Sequence, residues 1–376
     1  MKDCSRATAR DFDGDGKDDV AVGNRMIIGG QVSILSADRL VPLTIPDKAA
    51  DGIGAAVALA RVNADNCADL VVGAPYTKVD GKGAAGAVYV LYGGNAEPVK
   101  KIVSPQPQAG ARFGAAVAAY GRTIAVGAPQ EKDSGSQSAG AAYVTGDGTP
   151  PRRITQDTAG VPGNSEPFDG FGAAVAVGPL HDGRMGLVAG APGERDDGGG
   201  RQRKPRTGSR DGAVTVIPDV RASQIEAVKH DGGAGCAFGE AVVYVPGGRW
   251  AATQPRCGKV QFFHDAGLAG STTCGACAGS TGGGTAALAA APDGRVAVAW
   301  GDSAQVLPAQ EGGRTSVVPT LPGGNLPVAF YGTRLVFGMP RDAPPMGVTV
   351  FDPATGKSEQ VMSRRGDVEG VGEALG

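Results

Sequence analysis

Apolar residues recur along this chain in short alternating runs, broken by turns rich in glycine and proline. Alternation with a period of two predicts strands with one buried face. The runs also repeat as a set. "IGAAVALARVNADNCADLVVGAP" (53–75), "FGAAVAAYGRTIAVGAP" (113–129) and "FGAAVAVGPLHDGRMGLVAGAP" (171–192) share one plan. Each has an aromatic or aliphatic residue, a glycine, an alternating run, a turn, and a second apolar run ending Gly-Ala-Pro. Weaker copies are "FGEAVVYVPGGRWAATQP" from 238, "GGTAALAAAPDGRVAVAWGD" at 283–302 and "VAFYGTRLVFGMP" at 328–340. A third run often follows, as in "GAVYVLYGG" (86–94), "GAAYVTG" (140–146) and "GVTVFDP" (347–353).

The Phe-Gly slots fall near 54, 114, 172, 239, 284, 325 and 372, about 41–67 residues apart. A period of this size signals a repeat architecture. The last six residues, "VGEALG", begin a unit that the N-terminus lacks, since "RDFDGDGKDDVAVG" starts at the turn. A ring accounts for both ends: the C-terminal strand completes the first unit. The expected fold is all-β, a seven-bladed propeller of four-stranded blades in a single domain 1–376. Its blades are 1–52 plus 371–376, 53–111, 112–170, 171–236, 237–282, 283–324 and 325–370. Glycine after the aromatic lets backbones approach near the axis. Proline after Gly-Ala cannot donate to a ladder and ends the strand. Phe113, Phe171 and Phe238 are expected to wedge between blades.

These motifs resemble the FG-GAP repeats of the integrin α-subunit propeller and its secreted bacterial relatives, and the resemblance spans nearly the whole chain. In that family a D-x-D-x-D-G-x-x-D loop between the first two strands of a blade holds calcium. "DFDGDGKDD" (11–19) matches it, with Asp11, Asp13, Asp15 and Asp19 as carboxylate ligands and the carbonyl of Lys17 as a further oxygen. Hard oxygen donors in a flexible loop suit Ca²⁺ over Mg²⁺, and the lack of His or Cys disfavours zinc. The ion is expected to be structural. Blade two keeps Asn63, Asp65 and Asp69 of this loop but places Arg61 first. Its guanidinium would replace a cation by pairing with Asp65 and Asp69; a metal there is the alternative.

Composition narrows the setting. Glycine is extreme at 63 of 376 residues, with 26 prolines, yet hydrophobic residues reach 41 %, which is too apolar for a linker. Net charge is −2, so nucleic acid is not an expected partner. No apolar run approaches the roughly 18 residues that would span a bilayer. No signal-peptide pattern follows Met1, so the chain reads as a mature form with an added start. Six cysteines suit disulfides in an oxidising compartment, hence a secreted protein. "CGAC" (274–277) also admits a redox pair or half a zinc site. The blade register implied by the resemblance pairs Cys4 with Cys67 in adjacent lower turns. It pairs Cys236 with Cys257 at the upper face, which leaves Cys274 with Cys277.

No nucleophile elbow, P-loop or dinucleotide fingerprint occurs. His181, His230 and His264 each precede an aspartate. The integrin-like register puts His181 and His264 in lower-face turns and His230 opposite, so they read as turn residues rather than a cluster. In that arrangement the strand 2–3 and 4–1 loops line the upper face. The residues after Gly-Ala-Pro are Tyr76, Gln130, Gly193, Arg256 and Arg341, with Trp300 in a related place. Aromatic and arginine side chains there suit recognition, and an arginine pair suits a carboxylate or sulfate. The long loop 193–212 carries six basic residues and would be mobile or dock an acidic partner. The leading expectation is a monomeric, calcium-stabilised binding protein for a protein, peptide or glycan. The alternatives are a lyase, hydrolase or cyclase acting at the axial upper face, and a lectin.

Overall fold

The computed structural model describes residues 4–24, 30–94, 98–146, 148–195, 210–273, 286–300, 303–308, 316–318, 327–338, 347–362 and 374–375. The alternating runs form seven antiparallel sheets of four strands each. Helix is confined, among the described residues, to one 3₁₀ turn at Pro255–Cys257. Blades two, three and four start with the innermost strands Ala56–Ala60, Ala116–Tyr120 and Ala174–Pro179. Blades five, six and seven start with Val242–Val245, Ala287–Ala290 and Val328–Tyr331.

The ring closes through the two ends of the chain. Ala374–Leu375 is the innermost strand of blade one and pairs antiparallel with Val20–Asn24. Leu375 faces Val22 and Ala374 faces Gly23 in the ladder. Each blade remains a separate sheet, so its innermost strand keeps a short free edge, which the ring shelters around the axis.

The repeated slots have physical causes. Phe113, Phe171 and Phe238 are all but fully buried. Phe171 packs with Ala125 and Ala142 of blade three and with Val175 and Leu187 of blade four. Phe113 bridges blades two and three in the same way, its ring 5.1 Å from that of Tyr143. Burying one such side chain contributes about 1.5–3 kcal/mol. The two glycines of the repeat face one another across the four junctions from blade one to blade five. A Cβ on Gly73 would strike the carbonyl oxygen of Gly114, and one on Gly127 that of Gly172. Gly114 and Gly172 also have φ of 90° and 81°, where side chains are strained. Phe113 and Phe171 donate their N–H groups to Ala85 and Ala139 of the preceding blade, at 3.0 and 2.8 Å.

Each innermost strand runs from the face carrying the Phe-Gly slots (upper) to the face carrying the strand 1–2 and 3–4 turns (lower). Cys4 and Cys67 are bridged at the lower face, with Cα atoms 5.3 Å apart. Cys236 and Cys257 are bridged at the upper face, with Cα atoms 5.1 Å apart. Both pairings agree with the expected register. Cys274 and Cys277 lie outside the described residues.

Candidate functional site

The acidic loop of blade one folds around its own backbone. Asp11, fully buried, accepts from Gly14 N–H at 2.6 Å, Asp15 N–H at 3.2 Å and Gly16 N–H at 2.7 Å. Asp13 accepts from Asp15 N–H and from the Ser36 hydroxyl; Asp15 accepts from Lys17 N–H at 2.8 Å. These turns bring one oxygen each of Asp11, Asp13 and Asp15 within 4.8 Å of one another. Asp19, outside that trio, closes the loop from its far end: it is 1 % exposed, its Oδ2 taking Phe12 and Asp13 N–H groups. Its Oδ1 is buried with no hydrogen-bond partner. Burial pushes its carboxyl up to about 6.

An orphaned buried carboxylate oxygen is costly unless something positive meets it. The donor set is all oxygen, which suits a hard cation. The residues present therefore fit the ion that the loop sequence implies. Asp11, Asp13, Asp15 and Asp19 would hold it, with the carbonyl of the exposed Lys17 at the outer side.

In blade two the backbone satisfies the matching carboxylate. Asp69 is fully buried like Asp19, but both of its oxygens are satisfied. Oδ2 accepts from Val62 and Asn63 N–H, and Oδ1 from Gly93 N–H at 3.1 Å. Asn63 and Asp65 bond to each other, Asn63 Nδ2 donating to Asp65 Oδ2 at 2.9 Å. The expected pairing of Arg61 with Asp65 and Asp69 is not what occurs. Arg61 turns to the N-terminal segment and donates to the carbonyls of Ala7 and Thr8 at 2.7 and 3.0 Å. The reason is steric order: three backbone N–H groups already fill Asp69.

On the upper face, the residue after Gly-Ala-Pro has one recurring backbone role. Tyr76, Gln130, Gly193 and Arg256 each donate N–H to the carbonyl two residues before the slot residue (Ile53, Phe113, Phe171 or Phe238) of their own blade, namely Asp51, Ala111, Asp169 and Cys236. Gln130 and Arg256 are exposed and Tyr76 is half-buried, on three different blades. The Arg112 guanidinium lies 5.3 Å from the centre of the Tyr76 ring. Trp300 does not belong to this group. The ladder aligns Ala299 with Gly127, so Trp300 takes the buried slot of Ala128. It is 4 % exposed and packs with Val260, Val298 and Leu307. Arg341 and most of loop 193–212 lie outside the described residues.

Beneath the upper face lie carboxylates that sequence reasoning missed. Glu131, 1 % exposed, takes the Tyr143 hydroxyl and Arg153 Nε. Glu194, at the matching place in blade four, pairs with Lys229 at 3.0 Å and with Gln156. Beside it, Asp169 is 2 % exposed, and burial together with the Glu194 charge pushes its carboxyl up to about 8. The signal was present: Gly-Ala-Pro-Gln-Glu and Gly-Ala-Pro-Gly-Glu both carry glutamate two places after proline.

Around the axis is a cavity of about 660 Å³, walled by Val57, Val117, Val175, Val242, Leu288 and Val328 among others. Its polar groups gather at the lower end: Arg10, Arg61, Tyr120 and Tyr244. Arg10 reaches from the N-terminal segment to the carbonyl of Ala290 in blade six, at 3.2 Å. None of the chain's three histidines lines the cavity. Two of them, His181 and His264, meet on the lower face with ring centres 4.4 Å apart, contrary to the reading of isolated turn residues. His230 sits in the strand Val228–Asp231, its Nε2–H donating to Ala266 O at 2.9 Å.

The FG-GAP repeat family matches residues 5–35 and 53–91, and a second FG-GAP repeat profile matches 97–145. The comparison with curated protein sequences returned no match. Similar solved structures include a protein from Lactobacillus plantarum, at 14 % identity and a TM-score of 0.59, covering 96 % of this chain and 98 % of that one. A periplasmic gluconolactonase of Pseudomonas aeruginosa is similar at 14 % identity and TM-score 0.56, with 95 % and 96 % covered. A catalytically inactive histidine-to-alanine variant of virginiamycin B lyase from Staphylococcus aureus, with quinupristin, is similar at 7 % identity and TM-score 0.52, with 87 % and 89 % covered. At such identities the likeness is one of fold.

Proposed function

The chain is an FG-GAP repeat β-propeller, and on that premise we propose that it is an extracellular binding protein. Calcium in blade one stiffens it, and loops of the upper face take a protein, peptide or glycan ligand. Two observations carry the calcium reading: the convergence of one oxygen each from Asp11, Asp13 and Asp15, and the buried, unpartnered Oδ1 of Asp19 in the same loop. Two disulfides support an oxidising compartment. Tyr76, Gln130 and Arg256 are the upper-face side chains offered for contact, and Arg341 occupies the matching sequence position in blade seven.

Calcium is tested by melting the protein with chelator and with millimolar calcium. At a concentration about tenfold above Kd the ion stabilises by about 1.4 kcal/mol. Asp13→Ala and Asp15→Ala should lower the melting temperature and remove its calcium dependence. A wild-type melt that is identical in chelator and in calcium rejects the reading. Ligand class is tested by probing peptide and glycan arrays with calcium-loaded protein, against Tyr76→Ala and Arg256→Ala; retention unaffected by either variant removes the upper face from recognition.

A second reading is an enzyme working inside the propeller. Its support is the cavity, whose volume falls within the roughly 300–1,000 Å³ of small-molecule sites. Arg10 and Arg61 would then neutralise an anionic group at its lower end. Turnover of a lactone or of a streptogramin by the wild type, lost in Arg10→Ala, would replace the binding reading with this one.

A further inference from the structure

Two lower-face turns from neighbouring blades bring three metal-ligating side chains together. His181 follows the innermost strand of blade four, Ala174–Pro179. His264 ends the strand Lys259–His264 of blade five, and Asp265 begins the turn to Gly267–Thr273. One donor atom from each of the three lies within 4.8 Å of the others. The imidazoles stack at 4.4 Å with 26° between their planes. Asp265 meets both rings at Nδ1: His181 Nδ1 is 3.5 Å from Oδ1, and His264 Nδ1 is 3.6 Å from Oδ2.

These separations are long for hydrogen bonds. They are close to the edge of a coordination tetrahedron. With metal–ligand bonds of about 2.0–2.1 Å, neighbouring donors stand about 3.3 Å apart. The three side chains are 52 %, 50 % and 41 % exposed, so the stacked rings can rotate apart until both Nδ1 lone pairs converge on one ion beside the carboxylate, without disturbing the core. The backbone already holds the carboxylate in place. His181 N–H donates to Asp265 Oδ1 at 3.2 Å, and Asp265 N–H donates to Gly248 O at 2.9 Å. Gly248 forms the floor. A Cβ there would strike His181 Nδ1 and come within 3.1 Å of Asp265 Oδ1, so the glycine keeps the space beneath both donors open.

We propose that His181, His264 and Asp265 form a second cation site, for a divalent d-block ion such as zinc, which staples blade four to blade five. Two imidazoles and one carboxylate prefer zinc, nickel or copper to calcium or magnesium. Three protein ligands leave a fourth position to water, the pattern of an open site. The site shares no residue with the blade-one loop and does not depend on the calcium reading.

The test is zinc titration of metal-free protein in excess calcium, which occupies the oxygen-only loop, followed by calorimetry. The wild type should take up one zinc per chain. His181→Ala and His264→Ala should each weaken binding by more than about tenfold, in line with or beyond the loss seen for metal-supporting residues. The double variant should bind none. Cobalt(II) gives a second readout: a visible band from a tetrahedral site in the wild type, absent from the double variant. Unchanged melting of the variants in chelator verifies their folding, as expected for half-exposed turn residues. Equal zinc uptake by wild type and double variant overturns the proposal. So does no uptake by the wild type at micromolar zinc, or uptake that only Asp13→Ala removes.

Discussion

Replacing Cys4 and Cys67 together by alanine tests how the N-terminal segment is tied into the ring. The bridge joins residues 63 apart. In the chain-entropy account, cross-linking lowers the entropy of the unfolded chain by 2.1 + 1.5R ln n cal/mol/K. For this bridge that is about 14 cal/mol/K, or about 4.3 kcal/mol at 25 °C. The Cys236–Cys257 bridge spans 21 residues, and the same relation gives about 3.3 kcal/mol. The native N-terminal segment has other ties. Arg61 holds the carbonyls of Ala7 and Thr8, and Ala68 N–H donates to Asp11 O at 2.8 Å. Its folded geometry should therefore persist, and the loss should act through the unfolded state. The assay is urea unfolding in saturating calcium, followed by fluorescence of Trp250 and Trp300. Both are buried in blades five and six, away from the substitution. Cys4→Ala/Cys67→Ala should lose about 1 kcal/mol more than Cys236→Ala/Cys257→Ala. An equal or reversed order, or a loss under about 1 kcal/mol for the longer loop, would refute the loop-entropy argument.

Deleting 371–376 removes the innermost strand of blade one and should cost at least about 2 kcal/mol from its ladder bonds; unchanged urea stability of the truncated chain would rule out this closure. Asp169→Asn should remove a pH dependence. The folded carboxyl titrates near 8 and the unfolded one near 3.8, so between these values the folded state holds the extra proton and stability falls as pH rises. The slope is at most about 1.4 kcal/mol per pH unit, and melting from pH 5 to about 9 should show a flatter decline in the variant; parallel curves contradict the assignment. Gly127→Ala places a methyl against the Gly172 carbonyl at the junction of blades three and four and should cost about 1–3 kcal/mol, read by thermal melting.

Much of this protein is written in short, repeated segments. The Phe-Gly and Gly-Ala-Pro slots, the seven-fold count and the half-repeat at each end are local patterns. Each is read from neighbouring residues and a period, because the junctions from blade one to blade five let backbones meet at the same two glycines, and three of them bury the same phenylalanine. The acidic loop was legible for a similar reason: Asp11, Asp13 and Asp15 reach one another through turns within nine residues. The Cys4–Cys67 and Cys236–Cys257 bridges followed once the register of the blades was known.

What the tertiary structure decided concerns contacts between blades. Trp300 reads as an upper-face residue, yet the ladder of blade six shifts it into a buried slot, because that blade's repeat is too degenerate to count by sequence. Arg61 could be matched to Asp69 by spacing, but backbone N–H groups satisfy that carboxylate first and the guanidinium finds the N-terminal segment instead. Arg10 meets Ala290 across 280 positions of sequence, and His181 meets His264 and Asp265 across a blade junction. No local pattern encodes such meetings. Hydrophobic periodicity sets which face of a strand is buried; which side chains from different blades converge depends on the twist, stagger and closure of the whole ring.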